Sequence, residues 1–566
     1  MFMMYIKLLT CLCLVLLKSV ECEEFCKIVA DNEVRDGVYS QNIVKRSSGP
    51  QHLKIILSYN LTYSNLEYYS KIKKAMKKAA GYWEKALIVK VKKGDTLLAR
   101  RMCINDYNVI DTNDNISYCE ESQCMKQRTC HNAIIPNDYL SACYEQRNRK
   151  KTQSFPEGRG IAPNELLIIA TNNNSECREY IASIATYCEK DPNTKRPFIG
   201  EVNFCLNETQ TLQSTDQYLA NIARHEIAHV LGFHPALFND LPDLDYSFRL
   251  PNNDPRPVQN ITLSWLSARG NFSIQKTIIR LPKMLKEARR HFGCDELQGI
   301  ELIDNHFSYR IMGYDLMTRS TSTKSYVSNI TLAYFEDTGI YDVNYSMANR
   351  FTWGKGLGCD FVMKSCLEYI RNRQSRGQGI QPFCNKPDEI KCLNSERAFG
   401  YCQLSRHDTE LPTKNQYMDS SFHVPSNETQ YYGGPRHYDY CPFLEKYQVD
   451  ENRTSSCTSN ISVIPDLRTN VYFEDLGRNS TCFEHTEMIY DFHPVTIPNL
   501  RTASCHKFDC SEGFLWIIIK EERYKCPIEG GVIKFAVELE NASVFTNMTC
   551  PKCQEICKKT KCQSLG

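Results

Sequence analysis

Apolar residues recur along this chain with two different periods. Short runs rich in Ile, Leu and Val at His52 to Tyr59, Leu87 to Val91 and Glu165 to Ala170 predict strands. Gly200 to Cys205 reads as an edge strand, whose free backbone groups would suit pairing with an extended peptide. Asn65 is placed to cap a long amphipathic helix through Ala86. Leu219, Ile222, Ala223, Ile227 and Val230 share one helical face and predict a second helix from about Thr215 to Leu231. Ser214 and Gln217 have capping-box spacing ahead of it, and Gly232 is suited to a left-handed stop behind it.

Further on, Pro251 to Pro257 is a turn-rich loop, and Ile278 to His291 looks helical with a basic, solvated face. The Gly354 to Gly358 run neither follows a clear strand nor opens a Rossmann-type unit, so it is read as a loop. Phe514 to Ile519 is a strand-sized apolar run, too short to span a membrane. From Cys359 onward the chain is cysteine-dense and poor in long periodic helices, which predicts a disulfide-stapled, mostly β or irregular domain. Cys550, Cys553, Cys557 and Cys562 could ligate a metal, but in an oxidising compartment disulfides are favoured. The fold class is α+β, with segments expected at 47–238, 239–358 and 359–566.

Residues 1–22 carry Lys7 ahead of an apolar stretch from Leu8 to Leu17, the pattern of a signal peptide cut near Cys22. Residues 23–46 are polar, lack a core pattern and end in Lys45-Arg46, which suggests a propeptide with a basic cleavage site, the alternative being a flexible N-terminal extension of the mature protein. Arg100-Arg101, embedded between apolar segments, is read as structural. A formal net charge of +2 offers no electrostatic reason to expect nucleic acid or acidic lipid as a partner. The expected product is a secreted, extracellular protein with no transmembrane segment and no lipid-anchor tail. Sequons at Asn60, Asn115, Asn207, Asn260, Asn329, Asn427 and Asn547 mark positions for N-linked glycan. Of 28 cysteines, Cys11, Cys13 and Cys22 leave with the signal, so an odd number remains. Setting Cys26 aside makes the rest even and able to pair completely.

Chemistry concentrates in His225-Glu226-Ile227-Ala228-His229. Two histidines four residues apart on a helix share one face and can reach one ion, while Glu226 is placed to act as a base without being a ligand. The bare pattern arises by chance in about a few in a hundred chains of this length, so its helical context carries the weight. A catalytic zinc needs a third protein ligand. The compact form of the extended motif places it at the position held here by Pro235, which cannot ligate. Spacing alone leaves His234, His291 and His306 open.

The chain closely resembles the leishmanolysin and invadolysin family of zinc metalloproteases, members of the metzincin clan. The resemblance rests on Tyr82 to Leu87, Arg224 to Phe233, Arg290 to Cys294, Asp315 to Thr318, Ile330 to Gly339, Asn344 to Ala348 and Tyr431 to Gly434. It covers nearly everything after about residue 50. It implies a metzincin-like catalytic domain binding one Zn2+ per chain. By the family's spacing, His306 would be the third ligand and Met317 the Met-turn methionine, eleven residues on. It also implies that a propeptide cysteine, here Cys26, holds the zymogen latent, although the local sequence matches no switch motif and a structural disulfide at Cys26 is the competing reading. The implied activity is a secreted endopeptidase acting on protein substrates, with a role in matrix degradation or cell migration. The alternatives are a catalytically inactive relative serving as an adhesive binding protein, and a different zinc hydrolase such as an exopeptidase.

Overall fold

The computed structural model describes residues 26–28, 34–39, 51–90, 96–104, 109–111, 116–147, 150–178, 181–319, 325–393, 397–446, 455–458, 470, 472–491, 496–499, 501–539, 542–557 and 559–562. The signal peptide and the Lys45-Arg46 site lie outside them. The elements that position the site begin with β1 (Cys26–Ile28), β2 (Lys54–Asn60) and α1 (Leu66–Ala86). They continue with β3 (Glu165–Thr171), β4 (Ser183–Lys190), β5 (Pro197–Phe204) and α2 (Asp216–Leu231). The strands form a sheet in the order β1-β4-β5-β3-β2. β2, β3 and β5 run parallel, β4 is antiparallel to β5, and β1 is parallel to β4.

This order corrects the expectation for Gly200 to Cys205. β5 is an interior strand, flanked by β3 and β4, and all eight of its residues are buried. Both of its faces are covered, the usual state of a strand inside a helix-covered sheet. Gly200 permits the cover on one side: a Cβ there would stand 2.4 Å from Val230 Cγ1 and 2.7 Å from the Thr186 carbonyl oxygen. The strand at this side of the sheet is β4, and β1 lies along its outer side.

α1 starts where Asn65 accepts the Glu67 N–H at 2.8 Å, and its buried stripe includes Tyr68, Ile72, Met76, Ala79 and Trp83. Trp83 Nε1 donates to the Arg224 carbonyl at 3.0 Å, tying α1 to α2. The cap of α2 is Thr215, whose hydroxyl accepts the Tyr218 N–H at 2.9 Å. Ser214 instead closes the preceding short helix Glu208–Gln213, so the cap falls one residue later than expected and is a single Thr215 bond rather than a capping box. Every α2 residue from Leu219 to Leu231 is buried, and Gly232 ends the helix at φ 123°.

After α2 come a hairpin, β6 (Val258–Ser267) and β7 (Gly270–Ile279), then α3 (Pro282–Phe292), β8 (Ile300–Ile303), β9 (His306–Phe307) and α4 (Tyr309–Met312). The four strands form one sheet in chain order. Ile278, expected in a helix, belongs to β7. The helix waits until Pro282 because Leu281 before it is extended, as a residue preceding proline prefers. α5 (Asn329–Asp337) follows, capped by Ser328.

One continuous apolar core joins side chains from Leu53 to Leu444. A separate core, including Phe483, Leu515, Ile517, Phe535 and Met548, packs on an eight-stranded sheet in the C-terminal part, in which Phe514–Ile519 is a strand as expected. Every cysteine from Cys103 to Cys562 is paired, in twelve disulfides. The terminal cluster resolves into Cys526–Cys550, Cys510–Cys557 and Cys553–Cys562. Arg101 is buried and donates to the Met125 and Lys126 carbonyls. No helix among the described residues is long and apolar enough to cross a membrane.

Candidate metal centre

α2 places His225 and His229 one turn apart with their Nε2 atoms 3.0 Å from each other. β9 brings His306 to the same point, its Nε2 3.1 Å from that of His229. All three rings are buried. Each Nδ1 faces a backbone carbonyl: His225 that of Leu316 at 2.5 Å, His229 that of Phe233 at 2.6 Å and His306 that of Asp304 at 2.9 Å. A ring nitrogen facing a carbonyl carries the proton, so each neutral ring turns a bare Nε2 lone pair toward the others. Burial keeps the rings neutral: it pushes the pKa of His225 down to about 4 and those of His229 and His306 well below the ordinary histidine value. Three converging lone pairs repel unless a cation lies between them. Three neutral imidazoles suit zinc as a donor set, so the residues fit the metal that the resemblance implies.

Glu226 is fully buried beside the cluster, and one carboxylate oxygen accepts the Ser183 hydroxyl at 2.6 Å. Ser183 opens β4 and gives no signal in sequence. Met317 is buried in a turn that touches the centre through its backbone. The Phe307 N–H donates to the Met317 carbonyl at 2.9 Å, and the adjacent Leu316 carbonyl is the one facing His225. Asp315 anchors this turn by accepting the Met317 N–H at 2.9 Å and the Thr331 hydroxyl of α5 at 2.7 Å. Asp315 lies inside a stretch that carries the family resemblance, so it was within reach of sequence reasoning.

The other two histidines do not join the cluster. His234 caps the short helix Pro235–Phe238, its Nδ1 accepting the Ala236 N–H at 3.1 Å. His291 Nε2 faces the Trp353 carbonyl at 2.8 Å, and its ring stacks on Phe351. Cys26 lies in β1, where its backbone is in register with Ser183.

A helix carrying two of three convergent imidazoles, with a buried carboxylate between them in sequence, defines the class of a metallopeptidase. A family model described as Leishmanolysin matches residues 41–564, and the chain belongs to that family of zinc metalloproteases. It is 28% identical over 582 aligned residues to a leishmanolysin-like peptidase of Drosophila pseudoobscura pseudoobscura, covering 94% of this chain and 84% of the relative. A leishmanolysin-like peptidase of Caenorhabditis briggsae is 29% identical over 527 residues, covering 85% and 78%. Leishmanolysin of Leishmania major is 27% identical over 312 residues, covering 52% and 46%.

Proposed function

We propose that this protein is a secreted zinc endopeptidase with a metzincin-like catalytic part, in which His225, His229 and His306 hold the metal and Glu226 is the general base. The observation that carries this reading is the convergence of three Nε2 atoms, each ring fixed through Nδ1 by a carbonyl, beside a buried carboxylate. Zinc held by these nitrogens supplies Lewis acidity at that point. The protein's own part begins with Glu226, which takes a proton from the attacking water and returns it to the leaving amine. Ser183 holds one Glu226 oxygen and so fixes the orientation of the carboxylate. An extended substrate pairs with the outer side of β4, whose first residue is Ser183.

In the same reading residues 23–46 form a propeptide that keeps the enzyme latent, with Cys26 as its zinc-directed thiol. Two observations support this. β1 lies along β4, where a substrate strand would pair. The 24 cysteines from Cys103 to Cys562 also pair among themselves. A thiolate is a strong zinc ligand and would fill the position that catalysis needs for water. Matrix proteins are the proposed substrates, with a role in cell migration.

The test is incubation of purified, propeptide-processed protein with a diverse peptide mixture, with and without a chelator, and mapping of cleavage sites by mass spectrometry. Internal cleavages abolished by the chelator are expected. A zinc-loaded protein that cleaves nothing would instead be an inactive, adhesive relative, and trimming only at peptide ends would mean an exopeptidase.

A further inference from the structure

The segment that delivers His306 is gripped on both sides by buried charges. Glu301 lies five residues before the histidine, on β8, and Arg310 lies four after it, on α4. β8 and β9 pair directly, with Ile303 opposite His306, and the Glu301 carbonyl accepts the Ser308 N–H at 2.8 Å. The Glu301 carboxylate accepts from Lys276 Nζ at 2.6 Å. Lys276 comes from the β7 arm of the β6–β7 hairpin and also donates to Asp439 at 3.0 Å. Arg310 Nε meets the same Asp439 oxygen at 3.3 Å, and its Nη1 donates to the Phe361 carbonyl at 3.1 Å. Trp265 of β6 lies against both cations, its ring centre 4.6 Å from Lys276 Nζ and 4.9 Å from the Arg310 guanidinium carbon. Lys276, Glu301 and Arg310 are buried, and the Asp439 side chain is 17% exposed.

Two cations and two carboxylates cancel, and none of the four belongs to the proposed metal centre. Asp439 is the member contributed from the cysteine-rich part. It stands two residues before Cys441, which is bonded to Cys366, close in sequence to the Phe361 carbonyl that Arg310 uses. A buried charge left without its partner forces its neighbours to move. Here the neighbours are the two flanks of the loop that holds His306.

We propose that this four-charge knot, closed by Asp439 from the cysteine-rich part, positions His306 and thereby sets how tightly the centre holds zinc. The proposal rests on the zinc reading of the site given above. Lys276, Glu301, Arg310 and Asp439 are positioning residues, because they act on the metal only through the His306 loop.

The test measures zinc affinity and zinc release rate of the full-length protein by competition with a chromophoric chelator, alongside the melting temperature. Asp439→Asn is expected to raise the zinc Kd about tenfold, the scale of outer-shell changes at metal sites. Lys276→Gln, which leaves the Asp439–Arg310 contact in place, is expected to raise it by less than that factor, and it carries the test if Asp439→Asn does not fold. Glu474→Gln is the control. It breaks a buried ion pair with Arg501 in the C-terminal part, and it should lower the melting temperature without changing the zinc Kd. A folded Asp439→Asn or Lys276→Gln protein that binds zinc as tightly as wild type overturns the proposal. So does a control variant whose zinc affinity falls as far as theirs. Wild-type protein that binds no zinc overturns the reading of the site itself, and is distinguished by needing no variant to show it.

Discussion

Replacing Glu226 with glutamine should leave the metal in place and remove the chemistry. The two side chains have nearly the same volume, so the buried site need not repack. The glutamine carbonyl oxygen can still accept the Ser183 hydroxyl, which now meets a carboxylate oxygen at 2.6 Å. The three histidines keep their carbonyl partners, because none of those bonds involves Glu226. What is lost is the ability to take a proton. A positioned general base contributes about 10²- to 10⁴-fold. The expected fall in kcat/KM for Glu226→Gln is of that size, equivalent to about 3–5 kcal/mol of transition-state stabilisation. Turnover of an internally quenched peptide and zinc content by atomic absorption would be measured on the same preparation. Zinc near one per chain with turnover reduced by less than about tenfold would refute Glu226 as the base.

Other outcomes follow from the same geometry. Among His306→Ala, His234→Ala and His291→Ala, only the first should lose zinc, because His234 and His291 are committed to Ala236 and Trp353; metal analysis of the three proteins decides it. Cys26→Ser should give an unprocessed chain that already cleaves peptide, whereas the wild-type zymogen stays silent until cut or treated with a mercurial; a peptide map with Cys26 in a disulfide of the active enzyme would reject the switch. His131 should make stability fall at alkaline pH. Hydrogen bonding to Glu201, with Glu176 on its other nitrogen, raises its pKa to about 9 from an ordinary 6.5. A raised folded-state pKa gives stabilisation that is full below about pH 6.5 and lost as pH rises through about 9. Denaturant melts across that window should show wild type losing its advantage over His131→Gln, and a constant difference would contradict the assignment.

What could be read from the chain divides by the range of the interaction that decides it. α1 and α2 were legible because capping and a 3.6-residue period are local. Even there Thr215, next to Ser214, took the cap, as two adjacent hydroxyl residues allow. His225 and His229 followed from the period of the helix. His306 lies 77 residues beyond His229, across a hairpin and a helix, and no periodicity spans that distance. Family spacing supplied it. β5 was misread as an edge because strand order depends on which partners arrive from far along the chain, here β3 on one side and β4 on the other. Ile278 was misread because a β-branched run leading into a helix start has no local mark of its boundary except Pro282. Disulfide partners and the Ser183–Glu226 contact are tertiary facts with no sequence signal at all.

The turn at Met317 shows why a short stretch can be informative even when its side-chain role is not. Its grip on the centre is made of peptide groups. The Leu316 carbonyl fixes the tautomer of His225, the Met317 carbonyl takes the N–H of Phe307 next to His306, and the Met317 N–H is held by Asp315. Asp315 is buried, and burial alone would drive its carboxylate to protonate. Ser328, the Thr331 hydroxyl and backbone N–H groups bond the charged form and oppose this only in part, so its pKa stays above the ordinary carboxylate value. The turn therefore couples α5 to two of the three histidines at once. The Asp315-Leu-Met-Thr318 sequence is constrained first by where its backbone must run, and Asp315, which contacts none of the histidines in this network, is the residue on which that path depends.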